Sequence, residues 1–311
     1  MMEWDPTAVF TLNFLAIIPL AACLSFATEE ISKRLGETLG GLLNATFGNA
    51  VELIVSVIAL RAGEIEVVQS SMLGSILSNL LLVLGMCFML GGFFNMNDAN
   101  GNGTEQSFQS VTAQTTCSLM ALASASLVIP AALYNVLDSA HEHEKQASIL
   151  LLSRGTAIIL LLLYVLYLWF QLRTHKNLFM PEDPAELEAA SEEDEGNVMS
   201  PWAAAAVLIV VTLMVSFCAD YLVDSIDAIV EKHDISKNFI GLILIPIVGN
   251  AAEHVTACVV AVRNKMDLAM GVAIGSSIQI ALLVTPFLVI MGWIIDQPMS
   301  LHFETCESDP L

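Results

Sequence analysis

Charge is what this sequence has least of. Asp, Glu, Lys and Arg make up 14% of its 311 residues, against roughly 25% in an ordinary soluble domain. With 56% hydrophobic residues and a mean hydropathy of +0.71, that shortfall excludes a water-soluble globular chain. Basic residues are scarcer still, 11 against 32 acidic for a net charge of −21, so no nucleic-acid partner is expected. The six cysteines (23, 87, 117, 218, 258 and 306) contain no Cys-x-x-Cys pair. They read as small packing residues of apolar runs rather than a zinc site or a disulfide framework. The chain also lacks His-Glu-x-x-His, Gly-x-Ser-x-Gly and aspartates at protease-like spacing, which leaves an intramembrane enzyme without machinery. No basic flank precedes the first apolar run, so it reads as a span and not as a cleavable signal.

What is present is long uncharged sequence. Residues 67–94 hold no ionisable group apart from Cys87, and 111–137 and 268–295 are free of charge. Each exceeds the ~20 residues that cross hydrocarbon as a helix. The expectation is an all-α polytopic membrane protein with eight spans, at 8–27, 39–61, 67–94, 111–135, 147–172, 201–224, 238–262 and 268–295. The densest negative charge is in PEDPAELEAASEEDEG (181–196), which carries Glu182, Asp183, Glu186, Glu188, Glu192, Glu193, Asp194 and Glu195 and no basic residue. Such a strip is either a solvated linker or a device that concentrates cations at a transport mouth. Basic residues near span ends bias weakly to one side: Lys33, Arg34, Arg173, Lys176, Arg263 and Lys265 against Arg61, Lys145, Lys232 and Lys237. The positive-inside rule then puts the acidic loop in the cytosol, where the Asn102-Gly-Thr104 sequon stays unglycosylated.

Two of the oily segments share a signature. GNAVE (48–52) and GNAAE (249–253) align at an offset of 201 residues, and the same offset pairs Gly74-Ser75 with Gly275-Ser276, Ser78 with Gln279, and 81–83 with 282–284. The copies begin in the second and seventh spans and so cross in opposite directions. This is an inverted repeat, an arrangement that puts substrate between the halves near the midplane. Gly48-Asn49, and Pro246 with Gly249-Asn250, are breakers that predict discontinuous helices with free backbone groups facing a cavity.

Each copy places an ionisable group where it is expensive, Glu52 in the first and Glu253 in the second. A buried structural pair would need basic partners, but the only basic residue inside a span is Arg154, and one arginine cannot neutralise both. Arg154 reads instead as part of a face with Ser153 and Thr156, or as paired with an acidic group. Asn49 and Glu52 share a helix face, with Ser56 a turn further on, as do Asn250 and Glu253, and Ser276 and Gln279. Ser71, Ser75, Ser78 and Asn79 continue the first copy's polar face, although Ser71 and Asn79 on their own read as glue between helices. Carboxylate, amide and hydroxyl oxygens together suit a hard cation such as calcium. Emptied of metal, two neighbouring buried carboxylates cannot both stay charged, so protons replace the ion. His254 either joins that relay or is a neutral hydrogen-bonded imidazole.

On these residues the chain resembles the calcium/proton exchanger (CAX) family of the cation/calcium exchanger superfamily, fungal vacuolar type. ATEEISKRLGETLGGLLNATFGNAVELIVSVIAL (27–60) looks like the family's first repeat motif, and IPIVGNAAEHVTACVVAVRNKMDLAMGVAIGSSIQIALLVTP (245–286) like its second. The resemblance implies uptake of calcium, in some members manganese, into the vacuole in exchange for protons, with no cofactor beyond the transported ions. It implies Glu52 and Glu253 as cation ligands and proton carriers, with Asn49, Asn250, Ser75, Ser276, Gln279 and His254 around them. It also implies cation attraction by Glu29, Glu30 and the acidic strip. The organisation it suggests is a first repeat at 1–172, a cytosolic acidic segment at 173–200 and a second repeat at 201–311. After Ile295 the sequence DQPMSLHFETCESDPL ends where the family continues with two more helices, so the second repeat is expected to be incomplete. Two alternatives follow: an antiporter working as it stands or as a homo-oligomer, and a truncated, transport-inactive product.

Overall fold

A computed structural model describes residues 5–97, 101–106, 110–136, 142–175 and 199–303. The acidic residues Glu182 to Glu195, Lys176, Glu304 and Cys306, and residues 137–141 of the loop at 135–145, lie outside the described residues. Among the described residues the regular structure is helical, with one isolated bridge between Asn97 and Gly103.

α1 (Pro6–Phe47) starts cleanly because Asp5 accepts a hydrogen bond from the Thr7 N–H (2.9 Å) and Pro6 fills the first helical position. Its ladder of helical hydrogen bonds hides a reversal. A Cβ on Gly40 would collide with the Ser32 carbonyl, eight residues earlier, a distance of about 12 Å along a straight helix. The chain therefore doubles back after Leu35, where the membrane-crossing part ends, and residues 40–47 return into the bundle as a short half-helix. α2 (Ala50–Ala62) follows a break at Gly48-Asn49 and stops at Gly63 in the left-handed region (φ 86°). α3 (Ile65–Leu77) runs through a π-turn at Ser78–Val83 into α4 (Leu84–Phe94). α5 (Ser110–Val136) and α6 (Glu142–Trp169) complete the first half.

α7 (Pro201–Asp224) repeats the Ser-Pro opening, with Ser200 accepting from the Ala203 N–H, and leads into α8 (Ile226–His233). α9 (Lys237–Gly249) bends by 58° into α10 (Ala251–Val262). α11 (Met266–Gln279), a π-turn at Ile280–Val284 and α12 (Thr285–Ile294) follow. The 201-residue offset carries α2 onto α10, α3 onto α11 and α4 onto α12. It also carries Gly63 onto Asn264, which takes the same left-handed turn (φ 61°). The protein is an inverted repeat of membrane helices, broken at Asn49 and Asn250.

Among the described residues, six helices are long and apolar enough to span a membrane, or seven if α9 and α10 count as one bent span. The expected span at 39–61 is not among them. It is cut into the returning half-helix and the 13-residue α2, which is about 20 Å long and too short to cross alone.

The bundle has two ends. At one lie Asp5, Glu64, Asp227, Lys232 and Lys237, joined by Lys232–Asp5 (2.7 Å), Lys237–Glu64 (2.8 Å) and Lys237–Asp227 (2.6 Å). At the other lie Glu29, Glu30, Lys33, Arg34, Arg173 and Asp267. There Glu30, fully buried, accepts from the Met199 N–H (3.2 Å), and Arg34 donates to the Met199 carbonyl, pinning the entry to α7. After α12 the chain forms a strap. Met299 lies against Gly292, the Leu301 N–H donates to Ser153 Oγ (2.9 Å), and one amide group, Gln69 Nε2, donates to the Ser300 (3.0 Å) and His302 (2.9 Å) carbonyls.

Candidate functional site

Asn49 and Asn250 hold matching non-helical conformations (φ −99°, ψ 26° and φ −88°, ψ 6°), and each opens a helix whose first turn carries a glutamate. The two helix starts meet inside the bundle, bringing Glu52 and Glu253 near enough for their charges to interact. Glu52 is 2% exposed and lies against the opposite break, where a Cβ on Gly249 would stand 2.9 Å from its Oε1. Glu253 is partly exposed on a cavity but has its Oε2 shielded, and it lies within hydrogen-bonding reach of Ser276 and Asn79.

A cross-repeat network ties these elements together. Asn49 Nδ2 donates to Gln279 Oε1 (2.5 Å), Ser276 Oγ donates to Asn49 Oδ1 (3.0 Å), and Asn79 Nδ2 donates to Ser276 Oγ (3.0 Å). Asn49, Ser276, Gln279 and Glu253 of the expected constellation thus meet. Asn79, which the sequence gives as helix glue, sits in the middle of them. The His254 ring lies 3.2 Å from Ser78 Oγ, a pairing no spacing could reveal because it joins opposite repeats. Ser71 donates to the Val68 carbonyl and stays within its own helix. Arg154 lies over the Trp293 ring (4.9 Å to the centroid).

Several buried polar atoms at this spot lack a partner among the described residues: Glu52 Oε2, Glu253 Oε2, Ser75 Oγ, Asn79 Oδ1, and both Nδ2 and Oδ1 of Asn250. Native interiors keep few such atoms, and here all but one are oxygens gathered around two carboxylates. No group of three or more His, Cys, Asp or Glu side chains with metal-ligand spacing occurs among the described residues, so any cation held here would be wrapped by two carboxylates together with amide and hydroxyl oxygens.

A cavity of about 460 Å³ leads to the site from the end that carries Glu29 and Asp267. Glu253, Ser276 and Gln279 form its floor, and Glu29, Gln171 and Asp267 stand at its mouth. Glu29 is paired with Lys33 (3.0 Å). Glu30 faces away and serves as the anchor of Met199. At the opposite end Glu66, Gln69, Ser70, Asn238, Leu242 and Phe303 enclose only about 40 Å³.

Residues 6–173 and 203–308 match the sodium/calcium exchanger protein family. The chain belongs to this family. Among curated exchangers it is 54% identical over 307 residues to the vacuolar calcium ion transporter of Schizosaccharomyces pombe, covering 98% of this chain and 71% of that one. It is 42% identical to a Ca(2+)/H(+) antiporter of Aphanothece halophytica, covering 98% and 81%. The solved structure of native YfkE superposes with a TM-score of 0.78 at 36% identity, covering 97% of this chain and 80% of that one. An H+/Ca2+ exchanger CAX structure, at 12% identity and a TM-score of 0.66, shares the fold.

Proposed function

We propose that this exchanger moves calcium, and manganese where it is available, against protons across the vacuolar membrane. The carrying observation is the pair of glutamates at twin helix breaks, surrounded by orphaned oxygens. A hard divalent cation takes six to eight oxygens at 2.3–2.6 Å, and Glu52, Glu253, Asn79, Asn250 and Ser75 supply a large part of such a shell, with Asn49, Ser276 and Gln279 in the layer behind. Once the cation leaves, two adjacent buried carboxylates cannot both remain charged, so protons take its place. One pair then serves ion and proton in turn, with His254 and Ser78 beside it as a route for the proton. The names of the relatives support the choice of ions.

The cavity fits a conformation open to one side, and alternating access would open the other. In this reading residues 1–172 and 201–311 are the two repeats, and 173–200 is the cytosolic acidic segment on the cavity side, drawing cations toward Glu29 and Asp267. Transport requires no cofactor and no chemical reaction; homo-oligomer formation is compatible with the exposed apolar flanks.

The test is reconstitution into acid-loaded vesicles with calcium outside. Uptake that collapses on adding a protonophore is expected. Uptake insensitive to the protonophore, or equal in Glu52→Gln and Glu253→Gln, would overturn the exchange mechanism.

A further inference from the structure

The two repeats match in sequence but not in how tightly their small residues are packed. In the closed half α3 and α9 touch backbone to backbone. A Cβ on Gly74 would strike the Leu242 carbonyl and Pro246, and one on Gly241 would strike Ser70 and the Val67 carbonyl. The offset carries Ser70 onto Gly271, Gly74 onto Gly275, and Gly241-Leu242 onto Gly40-Gly41. In that second half the contact is absent: neither Gly271 nor Gly275 has anything within 4 Å of an added Cβ. The space between them and the returning half-helix is the cavity itself, with Asn44, Phe47 and Gly48 on one wall and Leu268, Gly271 and Val272 on the other.

We propose that the cavity closes when Gly271 and Gly275 of α11 dock onto residues 40–47, reproducing the contact now made by Ser70 and Gly74 with α9, while that contact opens. Gly275 is therefore needed by a conformation other than the one observed. A Cβ added there would touch nothing here, yet it would meet backbone in the closed form, as one at Gly74 would now. The proposal rests on the two-sided reading of the site, but it can be tested without measuring transport.

The decisive variant is Gly275→Ala in the whole chain, beside Gly85→Ala as control. Gly85 also has open space around it, and its counterpart in the other repeat is Pro286, so a side chain there fits both forms. The conformational readout is thiol labelling with a membrane-impermeant maleimide, read by peptide mass spectrometry, in Val272→Cys at the cavity wall and Ser70→Cys at the opposite, closed face. Gly275→Ala is expected to unfold at the wild-type temperature and to bind calcium in calorimetry with unchanged affinity. It should lower labelling at position 70 at least tenfold, keep labelling at 272, and reduce proton-driven calcium uptake by a similar factor. Gly85→Ala should change none of these. Gly275→Val, with a larger side chain, should give the same split more completely. Unchanged labelling at position 70 in both Gly275 variants would overturn the proposal, as would parallel loss of binding and labelling. A labelling shift in a chain that moves no calcium would uphold the docking and sink the ion assignment.

Discussion

The carboxylate of Glu52 rests on the Cα of Gly249, a residue 197 positions later in the chain, with the space a Cβ would need already taken by Oε1 at 2.9 Å and Cδ at 3.1 Å. The residue that breaks one repeat thus shapes the ligand of the other. Gly249→Ala should displace the Glu52 head by a few tenths of an ångström and weaken calcium binding about tenfold, about 1.4 kcal/mol, with little change in unfolding temperature. Calorimetric titration of the purified variant checks this, and wild-type affinity would show that Glu52 is not held by that contact.

Asn49 and Asn250 give opposite expectations despite equivalent positions. Asn49 bonds Gln279 and Ser276, and its removal orphans both, so Asn49→Ala should lose about 2–3 kcal/mol of stability. Asn250 is fully buried with no partner among the described residues, so Asn250→Ala should leave stability unchanged or raise it by up to about 1 kcal/mol while weakening ion binding. Denaturation in detergent, with and without calcium, separates the two.

The strap offers a purely structural test. Gln69→Ala removes two hydrogen bonds to carbonyls and should cost about 1–2 kcal/mol. Amide hydrogen exchange at residues 299–303 should rise with it, while exchange in α7 stays as it was.

At the end bearing Asp5, pH dependence has a definite sign. The Lys232 ammonium, followed by the Thr7 N–H, holds the exposed Asp5 carboxyl down to about 2. A depressed carboxyl stabilises the folded form above its ordinary value, and that contribution fades as pH falls from about 4 toward 2. Asp5→Asn should abolish this component of the acid transition and leave the behaviour above pH 5 unchanged, as followed by helical circular dichroism.

Much of the architecture is legible in the sequence because a repeat shows itself twice. GNAxE, the following Gly-Ser and their common offset give the inversion, the breaks and the glutamates without a coordinate. A turn between spans 8–27 and 39–61 is expected from the charged stretch at 29–37 and from Gly36, but the cutting of the second span into a returning half-helix and α2 is not legible, since hydropathy does not record direction. Nor is the number of spans, because a broken helix and a whole one have the same average hydropathy. Pairings across repeats, Ser78 with His254 and Arg154 with Trp293, join residues 176 and 139 positions apart, and no local pattern encodes them. The asymmetry between Gly74 and Gly275 is the least accessible of all. Two repeats that share a motif and an offset must take unlike shapes at any one moment, and a sequence describes only what the two shapes share.

The strap has a consequence for how the chain is assembled in the membrane. Leu301 reaches Ser153, 148 residues earlier, and Ser300 reaches Gln69, 231 residues earlier. Loops of that length close late. During synthesis α3 and α6 enter the bilayer long before their partner exists, leaving the Gln69 amide and the Ser153 hydroxyl waiting. Seating of residues 299–303 therefore waits until α3, α6 and α12 are all in place, and a protease-resistant strap would report that these helices have been inserted and brought together.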